Sequence, residues 1–144
     1  MRRAIGLLTL FVLLIGFSGC SYVFYPHAKD FAAKAKGSTG VETLLNLTTM
    51  MEASAKAAKG GKGHDQPLND LHNQFHAFDD NLCCVEEAVR EKPAYALAVT
   101  HNKELWVIFM RLWKFKDDQP QRDQHLDLFA TELQELRATL QTLK

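Results

Sequence analysis

Apolar residues recur every three or four positions along most of the chain after residue 38, and polar residues fill the positions between them. This spacing matches the 3.6-residue turn of an α-helix, and no long stretch alternates with the period of two that is typical of a strand. The pattern predicts an all-α fold with four helices, over about residues 38–59, 67–91, 94–116 and 119–143.

The residues at the ends of these segments support the same boundaries. Thr39 and Glu42 stand three positions apart just before an apolar run, which is the capping-box pattern. Gly60 follows the first helix and can take the left-handed conformation that ends one. Pro93 separates the second helix from the third because the residue before a proline is pushed out of the helical region. Residues typical of a helix start open the second and fourth helices, namely Pro67, Asp118 and Pro120.

Four helices of about twenty residues, joined by short connections, predict an up-down-up-down four-helix bundle. Their apolar stripes share a repeat close to 3.5 residues, which is the spacing of helices that pack at small crossing angles. The stripe predicted for the third helix consists of Ala98, His101, Leu105, Ile108, Leu112 and Phe115.

The first twenty residues follow a different pattern. Arginines at positions 2 and 3 precede an apolar run over residues 4–17, and small residues follow this run. A basic start, an apolar stretch of this length and small residues before a cleavage point are the signature of an export signal. The segment Phe17-Ser18-Gly19-Cys20 resembles the lipobox of bacterial lipoproteins.

This resemblance implies a division of the chain into three parts. Residues 1–19 would be a cleaved signal peptide, residues 20–37 a lipidated tether with a helical turn or two over 28–36, and residues 38–144 the bundle. Cys20 would carry the acyl chains that anchor the protein. Because Ser21 rather than Asp follows Cys20, the resemblance implies the outer membrane, with the bundle facing the periplasm.

Two other interpretations of the N-terminus stay open. The apolar run could be a membrane-spanning helix that is never cut, although its fourteen residues fall short of the ~20 that a spanning helix needs. The two arginines also allow a twin-arginine signal, which would imply folding before export.

Composition narrows the classes of partner. The chain holds 17 basic and 17 acidic residues, and the signal segment contains two of the basic ones and none of the acidic ones. The remaining chain is therefore slightly acidic, and its charge gives no indication of a nucleic-acid partner.

Histidines and cysteines are the main candidates for metal ligands in this chain. His72, His76, Asp79 and Cys83 follow one another at helical spacing beside the apolar stripe of the second helix. If the chain reverses direction at about residue 92, the second and third helices are antiparallel, and His101 lies opposite Cys83 and Cys84. The candidate metal ligands are thus His72, His76, Cys83, Cys84 and His101, a set of residue types that suits zinc or copper.

Each of these residues also has an ordinary structural explanation. A histidine pair can belong to a solvated helix flank, His101 can be a hydrogen-bonded core residue, and the two adjacent cysteines can be inert thiols. We expect no cofactor on this basis. Zinc, copper or a haem held by histidine or methionine is the alternative, since helical bundles do hold such groups.

A second apolar side marks the third helix. It consists of Trp106, Phe109, Met110 and Trp113. These residues either complete the core or form a patch or groove for a partner helix, an apolar ligand or a second copy of the chain.

Sequence motifs of enzymes are absent. The chain contains no Gly-x-Ser-x-Gly, no phosphate-binding glycine loop, no His-Glu-x-x-His and no Cys-x-x-Cys-His. We therefore expect a non-enzymatic, membrane-anchored lipoprotein that binds a protein partner as an accessory or assembly factor of the cell envelope. The alternative is a bundle that binds a metal or haem through His101, the cysteines and the His72/His76 pair.

Overall fold

The computed structural model describes residues 25–144, so the signal peptide and the lipobox cysteine Cys20 lie outside the described residues. The described part is all-helical and contains no strand, which confirms the predicted fold class there. Its helices are α1 (Pro26–Ala35), α2 (Gly40–Ala58), α3 (Asp65–Leu82), α4 (Glu87–Arg90), α5 (Pro93–Lys114) and α6 (Gln119–Gln141).

Helix α1 is part of the packed domain, whereas the sequence predicted a tether up to residue 37. Ala28 and Ala35 are both buried in the core, and the helix packs against α3 and α2. The Asn46 side chain of α2 donates a hydrogen bond to the Ala35 carbonyl over 2.9 Å, which satisfies a carbonyl at the end of α1. A short alanine-rich helix has small side chains, so it can lie close to two longer helices.

The predicted helix starts at Thr39 and Asp118 are confirmed. Thr39 caps α2 by accepting a hydrogen bond from the Glu42 backbone N–H, and Asp118 caps α6 by accepting one from Gln121. The Glu42 carboxylate accepts from the Ser38 backbone N–H rather than from that of Thr39, so the capping box is displaced by one residue.

The second predicted helix is wrong at its C-terminal end. The sequence predicted one helix over 67–91, but α3 ends at Leu82 and a turn leads into the four-residue α4. Tertiary contacts explain the break: Tyr95 Oη donates to the Leu82 carbonyl over 3.1 Å, and Glu86 accepts a hydrogen bond from the backbone N–H of Gly40. Val85, which the helical pattern placed on the apolar stripe, is still buried, but it reaches the core from the turn.

The long helices pack unequally. Helix α2 contacts α3 along its length and also α6, and α5 contacts α6 along its length. The backbones of α3 and α5 come close at only a few positions. The core between these helices holds mainly leucine and phenylalanine, including Leu44, Leu47, Leu71, Phe75, Phe78, Leu105, Phe109, Phe129 and Leu136.

One end of the domain is held by a buried arginine. Arg122 of α6 is 1% exposed, and it donates to the Lys116 carbonyl over 2.7 Å and to the Gly60 carbonyl. The Asp123 carboxylate lies 3.7 Å from the Arg122 Nε and accepts the Gly60 backbone N–H. Gly60 has φ +98°, a left-handed conformation that glycine adopts at little cost. The loops after α2 and α5 are thus joined through a single side chain.

Candidate binding cleft between α3 and α5

Large aromatic side chains fill the space between α3 and α5. The ring centroids of Phe75 and Trp106 are 5.2 Å apart, and that of Phe109 lies 6.0 Å from Phe75 and 5.9 Å from Trp106. Rings at these distances stabilise each other, and their size keeps the two helix backbones apart. The result is a cleft rather than a closed helix–helix interface.

The cleft contains a recess of about 350 Å³. Its residues combine apolar rings with a few polar groups, as small-molecule sites commonly do. They come from α3 (Phe75, His76 and Asp79) and from α5 (Asn102, Lys103 and Trp106), and Val107 of α5 stands at the rim. Val107 is aliphatic but 52% exposed, and Met110, one turn later on α5, is also 52% exposed.

Asn102 is the most buried polar residue of the recess, with 6% of its surface exposed. Its Nδ2 donates to Asp79 Oδ1 over 2.9 Å, and because a carboxylate only accepts hydrogen bonds, this contact fixes which amide atom is nitrogen. Asn102 Oδ1 is then a buried acceptor without a partner among the described residues. Buried acceptors without a donor are rare in native proteins and call for a physical explanation.

His72 and His76, which the sequence proposed as metal ligands, lie together at one side of this cleft. Their Nε2 atoms are 3.1 Å apart. Tyr25, the residue before α1, stacks on His76 with ring centroids 3.7 Å apart, and Trp113 lies 5.2 Å from the His72 ring. Burial lowers the pKa of both histidines below the ordinary value of 6.5, so that they are neutral at pH 7.

The structure does not bring the five candidate metal ligands together. Cys83 and Cys84 are free and exposed in the turn after α3, with their Sγ atoms 3.6 Å apart. Partial desolvation by neighbouring atoms raises the pKa of the Cys83 thiol, and the hydrogen bond with Cys84 raises it further. His101 contacts α6 instead, where its Nδ1 lies 2.6 Å from Glu132 Oε1. The predicted approach of His101 to the cysteines assumed an unbroken helix to residue 91, and α4 changes that geometry.

The aromatic side of α5 is mainly internal. Phe109 is a core residue, and Trp106 and Trp113 are partly buried against the core. Of the four residues proposed for partner binding, only Met110 is largely exposed. A partner could reach the exposed parts of Trp106 and Met110, but it could not reach Phe109.

Sequence reasoning missed Asn102 because it assigned the wrong stripe to α5. The residues of α5 that enter the core are Ala98, Asn102, Leu105, Phe109 and Leu112, whereas the predicted stripe used His101 and Ile108. Both stripes follow three-four spacing and share three residues. The available signal was an asparagine at a core position of a heptad, a place where a polar residue is usually retained for a specific role.

Two further groups in the described part of the chain place a histidine near two carboxylates. They are His101 with Glu104 and Glu132, and His64 with Asp65 and Asp117, and the ligand atoms of each group lie within 4.8 Å of one another. In the second group Lys116 Nζ already lies 3.4 Å from Asp65 and 3.3 Å from Asp117. The Lys116 ammonium therefore offsets part of the negative charge that would attract a metal ion there.

Comparison of this chain with protein-family models, with curated proteins and with solved structures gave no match. Within residues 25–144, none of the helices has the length and apolar character needed to cross a membrane. The fold and the cleft are thus the basis for assigning a function.

Proposed function

We propose that this chain is a non-enzymatic binding protein of the bacterial cell envelope, held at the outer membrane by acyl chains on Cys20 and facing the periplasm. The four long helices would form an up-down-up-down bundle, with the cleft between α3 and α5 as its binding region. The recess of about 350 Å³ beside Trp106 is the observation that carries the proposal.

The composition of the cleft supports binding to a protein partner. Val107 and Met110 place exposed apolar surface beside the half-buried ring of Trp106. Aromatic residues in partly buried pockets are enriched among the residues that supply most of the affinity at protein interfaces. A partner of this kind would insert an apolar side chain beside Trp106 and cover Val107.

Photo-crosslinking in cells tests this proposal. A p-benzoylphenylalanine at position 107 of the full chain should give a discrete crosslinked product with an envelope protein. The matched control is position 128 on α6, where Leu128 is an equally exposed aliphatic residue, 49% against 52% for Val107. Crosslinking of the same products from both positions, or none from position 107, would contradict a binding role for the cleft.

The lipid anchor has its own test. The Cys20→Ala chain should incorporate no labelled palmitate and should leave the membrane fraction, since stable anchoring needs the acyl chains. The Cys83→Ala and Cys84→Ala chains are the controls, and both should incorporate label as the unmodified chain does. Label that persists in the Cys20→Ala chain would reject the lipoprotein assignment.

Metal binding by His72 and His76 is the second candidate, favoured by the 3.1 Å distance between their Nε2 atoms. Two imidazoles at this distance can ligate one ion with metal–nitrogen bonds of about 2.0–2.1 Å, and both are neutral at pH 7, as ligation requires. A pair on one face of a single helix suits a zinc or copper ion better than a haem, whose two axial ligands approach from opposite sides.

Titration of the full chain with Zn²⁺ or Cu²⁺ distinguishes the second candidate. Binding should be lost in His76→Gln and retained in His125→Gln, because His125 lies on α6 and its Nδ1 contacts the Gln121 carbonyl. Unchanged binding in His76→Gln would rule out this pair as the metal site.

A further inference from the structure

A histidine and two glutamates lie together where α5 packs against α6. His101 and Glu104 stand three positions apart on α5, so their side chains are neighbours on the surface of that helix. Glu132 reaches them from α6, and the ligand atoms of the three residues lie within 4.8 Å of one another. Imidazole nitrogen and carboxylate oxygen are both common ligands of zinc in proteins.

The fold holds two of these side chains in place. The side chains of His101 and Glu132 are only 16% and 18% exposed, and His101 Nδ1 lies 2.6 Å from Glu132 Oε1. Helices α5 and α6 pack along their length, which fixes the two residues relative to each other. Glu104 is exposed, so its side chain can move onto an ion without disturbing the core.

A zinc ion fits this group after small movements of the side chains. Zinc–ligand bonds of about 2.0–2.2 Å place neighbouring ligand atoms of a tetrahedral ion about 3.4 Å apart. His101 Nδ1 and Glu132 Oε1 are closer than this, so the ion would replace the proton between them and move them apart by less than about 1 Å. Glu104 would supply the third ligand, and water the fourth.

The charge around the group also favours a cation. Within residues 25–144, neither Glu104 nor Glu132 forms an ion pair with a lysine or an arginine. In the group around His64, by contrast, Lys116 Nζ lies within 3.4 Å of both aspartates. The imidazole of His101 favours a transition metal over Mg²⁺ or Ca²⁺, which prefer oxygen ligands.

We propose that His101, Glu104 and Glu132 form a binding site for a zinc ion that links α5 to α6. None of the three residues lines the recess between α3 and α5, and the site is separate from the His72/His76 pair. The inference therefore goes beyond the proposed function. If the histidine pair also binds zinc, His76→Gln should remove only the ion held by that pair.

Calorimetric titration with Zn²⁺ tests the site in a full chain that carries His76→Gln, Cys83→Ala and Cys84→Ala. These substitutions remove the other candidate ligands, and the three positions lie outside the proposed site. We expect this chain to bind a single Zn²⁺ ion and to bind Mg²⁺ far more weakly. Absence of Zn²⁺ binding, or equal affinity for the two ions, would overturn the proposal.

Glu104→Gln in the same background isolates one ligand. Glutamine has nearly the same size as glutamate, and Glu104 is exposed, so we expect the variant to fold. Its affinity for Zn²⁺ should fall at least about tenfold, since loss of even an indirect partner of a metal ligand has an effect of this size. Glu87→Gln on α4 is the control, because it removes the same charge from an exposed residue outside the group. Equal affinities of the two variants would reject the site.

His101→Gln shows whether the imidazole is needed. Zn²⁺ should raise the urea midpoint of the background chain, because the ion binds only where folding has brought the two helices together. The same addition should leave the midpoint of His101→Gln unchanged. An equal rise in both chains would mean that the carboxylates alone bind the ion, and the proposal would fail. Crosslinking from position 107 depends on none of these residues, so it tests the proposed function separately.

Discussion

Two buried polar side chains of this protein, Arg122 and Asn102, have different surroundings. Arg122, 1% exposed, donates to two loop carbonyls and lies beside the Asp123 carboxylate. Asn102, 6% exposed, uses its donor on Asp79 and leaves its acceptor free. The arginine closes one end of the domain, whereas the asparagine lines an open recess.

The comparison is between a polar residue that joins two loops and a polar residue that lies beside a cavity. A buried polar group that only supports the fold is normally fully hydrogen-bonded, because each unsatisfied group lowers stability. Arg122 donates to the Gly60 and Lys116 carbonyls and so joins the loops after α2 and α5. Its Nε lies 3.7 Å from the Asp123 carboxylate and has no hydrogen-bond partner among the described residues. Asn102 also leaves one buried polar atom unsatisfied, but it joins no loops and lies beside a cavity, where a binding role can account for a polar residue.

Loss of Arg122 should have the largest effect on stability. Arg122→Ala leaves the Gly60 and Lys116 carbonyls without their donor and creates a void, so we expect the free energy of unfolding to fall by about 3–5 kcal/mol. Urea unfolding monitored by circular dichroism measures this change.

Arg137→Ala is the matched control for that prediction. Arg137 on the same helix pairs with Glu52 over 2.9 Å, but both side chains are substantially exposed. We expect its removal to change the free energy of unfolding by less than about 1 kcal/mol. Similar losses in the free energy of unfolding for the two variants would show that joining the two loops through Arg122 contributes nothing special to stability.

Replacement of Asn102 should have a smaller effect and the opposite sign. Asn102→Leu removes an unsatisfied buried acceptor, and the exposed Asp79 regains water, so we expect stability to rise by about 1 kcal/mol. Urea unfolding of the ligand-free chain measures the gain. A loss of stability would mean that Asn102 serves the fold as Arg122 does, and the comparison would fail.

The histidine pair should produce the smallest effect, visible as a pH dependence. The pKa values of His72 and His76 are lowered from 6.5 by burial, so below that pH the unfolded chain binds more protons than the folded one. Stability should therefore fall from neutral pH to about pH 5.5, and a His72→Gln/His76→Gln chain should lose less over this interval. Parallel profiles for the two chains would contradict burial as the cause.

Much of the fold follows from local chemistry. The all-α class, the caps at Thr39 and Asp118 and the start of α5 at Pro93 depend on residues close in sequence, and the structure has all of them. The short helix α1 and the break after Leu82 depend on distant contacts, such as that of Tyr95 with the Leu82 carbonyl. Local patterns do not contain such contacts, so the sequence alone could not predict them.

The candidate site was predictable only in part. The sequence drew attention to His72, His76 and Trp106, and these residues meet at the cleft. It placed His101 rather than Asn102 on the buried face of α5, because neighbouring stripes on an apolar helix have nearly the same spacing. Because the prediction placed His101 rather than the next residue, Asn102, on the buried face, it missed the polar side chain that lines the recess.

The stacking of Tyr25 on His76 places the recess close to the proposed anchor. Cys20 precedes Tyr25 by five residues, a stretch of chain that spans at most about 18 Å. Since His76 lines the recess, a chain acylated at Cys20 would keep its binding region within a short distance of the lipid headgroups. A partner protein held at the same membrane would then meet the recess by diffusion in two dimensions rather than three.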